Sequence, residues 1–377
     1  MDFGFSEKEK ILRNEAGEFA DRRVRPIAAE IDKKDEFPFD LVTEMGKLGF
    51  RGMPYPRRYG GSEAGYLCYA LALEQICMAS MTVGAIMAIN TVPSEAIYRF
   101  GSEEQKEKFL RPLAAGEKLG SIAFTEADTG SDPRAIKTTC RQEGDFFILN
   151  GEKQFVSLAP AADLVLIFAR EEKKGLNAFL VDTSSEGYRL TERIETMGLR
   201  GLGTSTVQLD GVKVPGDNLV GERGSGFDVL REAISLGRLG VAVEGVGLSQ
   251  ESLNLSLGYA RQRKALGKSL GELLSIQGLL GEMASRLEAA RWLTYRTASM
   301  RDRGLDIKHE SSLAKLFSSQ TAVEVTRMGM QVFGTYGTTK NLPAERLYRD
   351  AKMAEIYVGV SEIQRAIIAR SLLDSSG

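Results

Sequence analysis

The hydrophobic spacing changes period twice along this chain, and that change restricts the folds open to it. From Ser6 to about Ala115 apolar residues recur at helical intervals, as in Ile11, Leu12, Ala16, Phe19, Ala20, Val24 and Ile27. Ser6 with Glu9 forms a capping box at the start. Further helices are predicted over 38–48, 66–79, 83–100 and 103–115, with a Gly/Pro-rich loop over 53–65. From Leu119 to about Pro215 the pattern becomes short β-rich runs: 146–149, 154–157, 164–169, 178–181 and 206–209. Turn signals separate them at Glu143-Gly144-Asp145, Asn150-Gly151 and Asp210-Gly211, the Asn-Gly pair being a hairpin signal. From Gly226 long helices return, near 226–260, 272–303, 309–334 and 346–373. The expected fold is α+β, mainly α. It comprises an N-terminal helical domain (1–117), a middle β-barrel domain (118–222) and a C-terminal four-helix bundle (223–377).

Composition excludes several classes. The 377 residues are 43% hydrophobic and 27% charged, with a net charge of −2 at pH 7. Neither nucleic acid nor an anionic membrane is favoured by that balance. No apolar run approaches the ~20 residues of a membrane span. The N-terminus lacks the basic-then-apolar order of a signal peptide, and a cytosolic location is expected. Cys68, Cys77 and Cys140 have no redox or zinc spacing. His309 is the single histidine, which leaves no metal site in view, and it is expected at the surface.

Two stretches stand out for chemistry. Ile356–Arg365 reads IYVGVSEIQR, a loop feeding a helix from Ser361 to Leu373. Gly359 permits close approach to the backbone. Ser361 is a helix-cap residue, and Glu362 suits the positive end of a helix. Ile122–Asp132 reads IAFTEADTGSD and offers the Thr125, Thr129 and Ser131 hydroxyls and the Gly130 amide to a carbonyl-rich or anionic ligand. Glycines 237, 240, 245 and 247 crowd one helix, a sign of close backbone packing.

The two motifs closely resemble the acyl-CoA dehydrogenase signatures I-Y-E-G-T-x-E-I-Q-R and A-L-T-E-P-x-A-G-S-D. KQFVS at 153–157 resembles the family's K-x-W-I-T, RQRKALG at 261–267 its R-x-x-F-G, and QVFGTYG at 331–337 its Q-x-x-G-G-x-G. The resemblance covers essentially the whole chain and implies helices, barrel and bundle in that order, with FAD as cofactor. It places Phe124, Thr125, Phe155 and Ser157 about the flavin ring. Gly130 lies in the same loop, and Ser131 lies near the flavin phosphates or the CoA arm. Val360 and Glu362 fall on the cofactor side. Arg263, Gln331 and Gly334 would reach the FAD of a neighbouring subunit in a homotetramer. Ala88, Thr91, Gly237, Arg238, Tyr357 and Gly359 would line the acyl-CoA site. An electron-transferring flavoprotein is the family's usual partner.

The departures from the signature bear on the chemistry. The family's base is the Glu of I-Y-E-G; here it is Val358. A branch of the family carries its Glu just before the arginine that matches Arg238; here that residue is Gly237. Val358 keeps only the backbone N–H that helps polarise the thioester carbonyl. Glu244 lies six residues after Arg238, about 120° round the helix. It is expected in an interhelical salt bridge, with the role of relocated base as the alternative. The reading is an acyl-CoA oxidoreductase with a missing or relocated base. A base-free flavoenzyme, such as an enoyl-CoA reductase, and a non-catalytic FAD or CoA binder are the alternatives.

Overall fold

The computed structural model describes residues 4–374. α1 (Glu7–Phe19) starts at the Ser6–Glu9 capping box and continues through a π-turn and a 3₁₀ turn into α2 (Ala28–Lys34). α3 (Phe39–Lys47), α4 (Tyr66–Ala79) and α5 (Met81–Phe100) follow. α6 (Glu103–Gln105) and α7 (Arg111–Ala114) are joined by a π-turn. α4 and most of α5 are buried, as their nearly continuous apolar sequences require.

The middle sheet has strands β1 (Gly120–Ala123), β2 (Thr139–Glu143), β3 (Phe146–Val156), β4 (Leu164–Glu171), β5 (Gly175–Asp182), β6 (Tyr188–Arg193) and β7 (Ser205–Pro215). Its order is β1-β4-β2-β3-β7-β6, with β5 on the free side of β4. No ladder among the described residues joins β5 to β6, so the barrel is a half-barrel. Asn150-Gly151 is not a hairpin. It is a bulge inside β3, where the register against β7 slips between Leu149 and Gly151. A Cβ on Gly151 would lie 2.6 Å from Thr138 Oγ1, so the glycine answers a close approach of two strands. Asp210-Gly211 likewise lies within β7, while Glu143-Gly144-Asp145 does turn β2 into β3.

Five long helices complete the chain among the described residues. They are α8 (Gly226–Gln262), α9 (Leu274–Asp302), α10 (Lys308–Phe333), α11 (Ala344–Ile356) and α12 (Ser361–Asp374). A two-stranded hairpin, β8 (Lys264–Ala265) with β9 (Lys268–Ser269), links α8 to α9. The expected fourth helix is thus two, broken at residues 357–360. Close packing explains the glycines of α8. Cβ atoms on Gly245 and Gly247 would fall 2.7 Å from Ser318 O of α10 and 2.7 Å from Cys77 Cβ of α4. All three cysteines are free and buried. His309 is half-buried in the first turn of α10 rather than a surface residue. No helix is long and apolar enough to cross a membrane.

Candidate active site

The break between α11 and α12 is a clamped loop. Val358 sits at φ +55 and Gly359 at φ +96. A left-handed, β-branched residue is an outlier of roughly 1–3 kcal/mol and persists only where its surroundings impose it. Two buried side chains do so. Lys315 of α10 donates through Nζ to Glu355 O at 3.0 Å and to Gly359 O at 2.8 Å. Gln364 of α12 donates through Nε2 to Gly359 O at 2.9 Å and to Val358 O at 3.5 Å. The carbonyls are held inward, and the Val358 N–H has no hydrogen-bond partner among the described residues. A Cβ on Gly359 would lie 2.6 Å from Gln364 Nε2, so the glycine makes room for the clamp. Ser361 does not cap α12; its hydroxyl donates back to Glu355 O at 3.5 Å. Burial, aided by the nearby Arg238 charge, pushes the Lys315 ammonium down to about 7.

α8 presents Gly237 to this loop. A Cβ on Gly237 would stand 3.1 Å from Val358 Cγ1 and 3.4 Å from Val92 Cγ2. The two positions without a carboxylate are therefore neighbours, and the Val358 isopropyl group fills the space that the glycine leaves. A Cβ on Gly240 would meet Ala88 Cβ at 3.0 Å and Tyr69 Oη at 3.8 Å. Tyr69 Oη in turn lies 3.1 Å from Thr91 Oγ1. Ala88, Thr91, Gly237, Tyr357, Val358 and Gly359 thus converge. Arg238, one residue further round α8, lies near Lys315. It is buried, its Nε has no partner, and burial lowers it to about 10.

Glu244 is wholly buried and makes no interhelical salt bridge; it accepts a hydrogen bond from Tyr357 Oη, and its Oε1 has no partner. The 120° offset from Arg238 is true but misleading. Counted from Gly237, Glu244 lies seven residues on, within about 20° of the same face and ~10 Å along the axis. Burial raises its carboxyl well above the usual carboxylate range, only partly opposed by Lys315.

The β-side residues form a second group. Phe155 stands at φ +55 in a bulge of β3, and 57% of its surface is exposed. Gln154 N donates to Thr125 O at 2.9 Å, tying the Phe124–Thr125 turn to that bulge. Beneath it Lys153 Nζ meets Glu126 Oε1 at 2.7 Å, wholly inside the domain. Burial lowers the Lys153 ammonium to about 8. Gly130 lies beside Thr125, with 3.6 Å from its Cβ position to Thr125 Cγ2. Ser131 is exposed on the same loop, and Ser157 is half-buried just past β3. Val360 is half-buried, whereas Glu362 is exposed and pairs with Arg365 at 3.3 Å.

Arg263, Gln331 and Gly334 form a third group. The Arg263 guanidinium lies over the Tyr336 ring, 5.7 Å from its centroid, and Gly334 turns the chain at φ +58. This group is at the C-terminal end of α8. Phe124 packs against the core cluster that takes in Val229, Leu230 and Ala233 at the other end. Some thirty residues of helix, about 45 Å at ~1.5 Å each, separate the two groups. One chain does not bring them to one ligand.

Sequence reasoning missed Lys315 and Gln364. Lys315 did leave a trace: it shares a helical stripe with Ser311, Ser318 and Ala322, all buried, where a lysine is out of place.

Comparison with known proteins agrees with this architecture from end to end. Residues 6–117, 121–212 and 224–373 match the N-terminal, middle and C-terminal domains of acyl-CoA dehydrogenase. The chain belongs to the acyl-CoA dehydrogenase family, FAD-dependent oxidoreductases acting on CH–CH groups. It is 38% identical over 373 residues to an acyl-CoA dehydrogenase of Bacillus subtilis, covering 98% of each chain. It is 37% identical over 374 residues to a 3-(aryl)acrylate reductase of Clostridium sporogenes, covering 98% of this chain and 99% of the relative. The structure of butyryl-CoA dehydrogenase from Megasphaera elsdenii superposes with a TM-score of 0.97 at 32% identity, covering 99% of this chain and 100% of that one. The residues present fit FAD. An aromatic face is held out to solvent beside a turn of hydroxyl and amide donors, where a flat conjugated ring can stack.

Proposed function

We propose that this chain is an acyl-CoA oxidoreductase, oxidising an acyl thioester between its α- and β-carbons with no carboxylate at either position where the family places its base. The observation that carries this reading is the clamped loop. Lys315 and Gln364 hold Val358 left-handed with a free N–H, beside Gly237. That N–H is the donor for the thioester carbonyl, a role that survives loss of the acid because it belongs to the backbone. Ala88, Thr91, Gly237, Tyr357 and Gly359 would border the acyl chain, and Ser131 the CoA arm. Bound FAD supplies the two-electron acceptor, with Phe124, Thr125, Gly130, Phe155 and Ser157 on its ring side and Val360 nearby. Because Arg263 closes α8, and Gln331 and Gly334 lie at the C-terminal end of α10, far from the Phe124 end of α8, they would serve the FAD of a second copy, which supports a homotetramer. An electron-transferring flavoprotein is the proposed acceptor, and the cytoplasm the proposed location.

The test is anaerobic mixing of the purified yellow protein with a panel of saturated acyl-CoAs. Bleaching of the flavin absorbance is the expected result, and Val358→Glu should increase it with a straight-chain substrate. The relative that reduces an arylacrylate points to the reverse direction as the second reading. Reoxidation of the reduced protein by enoyl-CoAs, with no bleaching by any saturated thioester, would replace the dehydrogenase reading with a reductase. A protein that cannot be loaded with FAD would end both.

A further inference from the structure

The reaction proposed above moves a proton at the α-carbon, and neither Val358 nor Gly237 can hold one. The same face of α8 carries Glu244 two turns further on. Long helical side chains lean toward the helix N-terminus, here toward Gly240, where α8 packs closely on Ala88 (3.0 Å from the Cβ position) and Tyr69 Oη (3.8 Å). Tyr357 reaches across from the clamped loop and donates its phenol hydrogen to Glu244 Oε2, while Oε1 stays unpartnered. A buried carboxyl group with one oxygen unsatisfied destabilises a fold. An apolar side chain there would pack without that penalty, so the acid needs a reason other than packing.

We infer that Tyr357 is the residue that exchanges the proton with the substrate α-carbon, and that Glu244 acts through it as the store for that proton. This rests on the proposed acyl-CoA chemistry. In the oxidative direction the Cα–H bond breaks and its proton joins the phenol oxygen. The phenol's own O–H bond breaks, and that proton passes to the Glu244 carboxylate. The hydride leaving the β-carbon is accepted by oxidised FAD, which gains two electrons as the thioester gains a double bond. Reduction of an enoyl thioester runs the same transfers backward. The groups facing Glu244 are Tyr357 from the loop, Tyr69 and Cys77 from α4, and Lys315 from α10. Of these, Lys315 is the cation that favours the ionised form, while burial opposes it. The carboxylate is therefore a stronger base than an exposed glutamate.

Deuterium exchange at the α-carbon tests this without net turnover. The FAD-loaded protein is reduced with dithionite, so that no hydride can be taken up. It is then incubated in D₂O with butyryl-CoA or hexanoyl-CoA, and label is read by mass spectrometry across a pH series. The wild-type protein should incorporate deuterium at a rate that rises with pH as Glu244 ionises. Tyr357→Phe and Glu244→Gln, both close in shape to the native residues, should each slow exchange by about 10²–10⁴-fold. Glu244→Gln should also flatten the pH profile. Val358→Glu placed on Tyr357→Phe should restore exchange. Bound FAD measures folding in every variant. Wild-type rates in both single variants with FAD retained would overturn the relay and leave the proposed function standing. An unchanged pH profile in Glu244→Gln would remove Glu244 from it. A wild-type protein that takes up neither FAD nor acyl-CoA would overturn the proposed function itself.

Discussion

Gly237→Ala probes the contact on which the site geometry rests. The added methyl would lie 3.1 Å from Val358 Cγ1 and 3.4 Å from Val92 Cγ2. Against that, alanine in a helix interior is favoured over glycine by about 1 kcal/mol. Forcing a methyl into a filled space costs about 1–3 kcal/mol. The single substitution should therefore leave the protein destabilised by about 1 kcal/mol. Val358→Ala removes the methyl that would be struck. In that background Gly237→Ala should recover the helix term and stabilise by about 1 kcal/mol, a coupling of about 2 kcal/mol between the two sites. A chain of several domains does not guarantee two-state unfolding, so the sign of the effect is the safer readout. The assay is the midpoint of FAD release on heating, followed by flavin fluorescence in the four proteins of the cycle. Gly237→Ala should lower the midpoint with Val358 present and raise it in the Val358→Ala background. The same shift in both backgrounds would show that the two positions do not touch.

Lys315→Met removes one of two donors from each of the Glu355 and Gly359 carbonyls, leaving them to Ser361 Oγ and Gln364 Nε2, and should cost about 0.5–1.5 kcal/mol per lost hydrogen bond and raise amide exchange at residues 357–360 above that of α11. Its pH dependence has a definite sign: the folded pKa is depressed from 10.5 to about 7, so the wild type should lose stability as pH falls toward 7, and the methionine variant should lack that slope in denaturation midpoints. Lys153→Met strips Glu126 of its buried cation and should destabilise by about 3–5 kcal/mol, with Glu126→Gln on the same chain recovering part of the loss in thermal unfolding followed by circular dichroism.

How much of this was legible depended on what each residue buries. α4 was readable to its end residues because its apolar run starts after Gly65 and stops at Ser80. β1, β2 and β6 were missed. β2 and β6 are largely exposed, so their sequences, TCRQE and YRLTER, carry little of the alternation that marks a half-buried strand. Asn150-Gly151 reads as a turn because the same left-handed tolerance serves a bulge, and only Thr138, packed alongside just before β2, decides between them. In the site, Val358 and Gly237 were visible as substitutions within a motif, but their contact was not, since it joins segments far apart in the chain. Sequence alone suggests a salt bridge for Glu244 because the angle is measured from Arg238, whereas measured from Gly237 the two share one face of the helix.

The clamp holds the loop's shape whatever side chain stands at 358. Every bond that Lys315, Gln364 and Ser361 make to the stretch from Glu355 to Gly359 ends on a carbonyl oxygen. Those bonds do not depend on which side chain sits at 358, so valine in place of glutamate leaves the backbone donor where it is. What does change is the local field: the site near Val358 now has an apolar wall from Val358 and Val92, and its neighbouring cations, Arg238 and Lys315, lack a carboxylate between them. Burial, with the Arg238 charge adding to it, holds the Lys315 ammonium down to about 7. Among the described residues Glu244 is the acid that both lies on the Gly237 face of α8 and bonds to a residue of the loop, which is why the inferred relay runs through Tyr357.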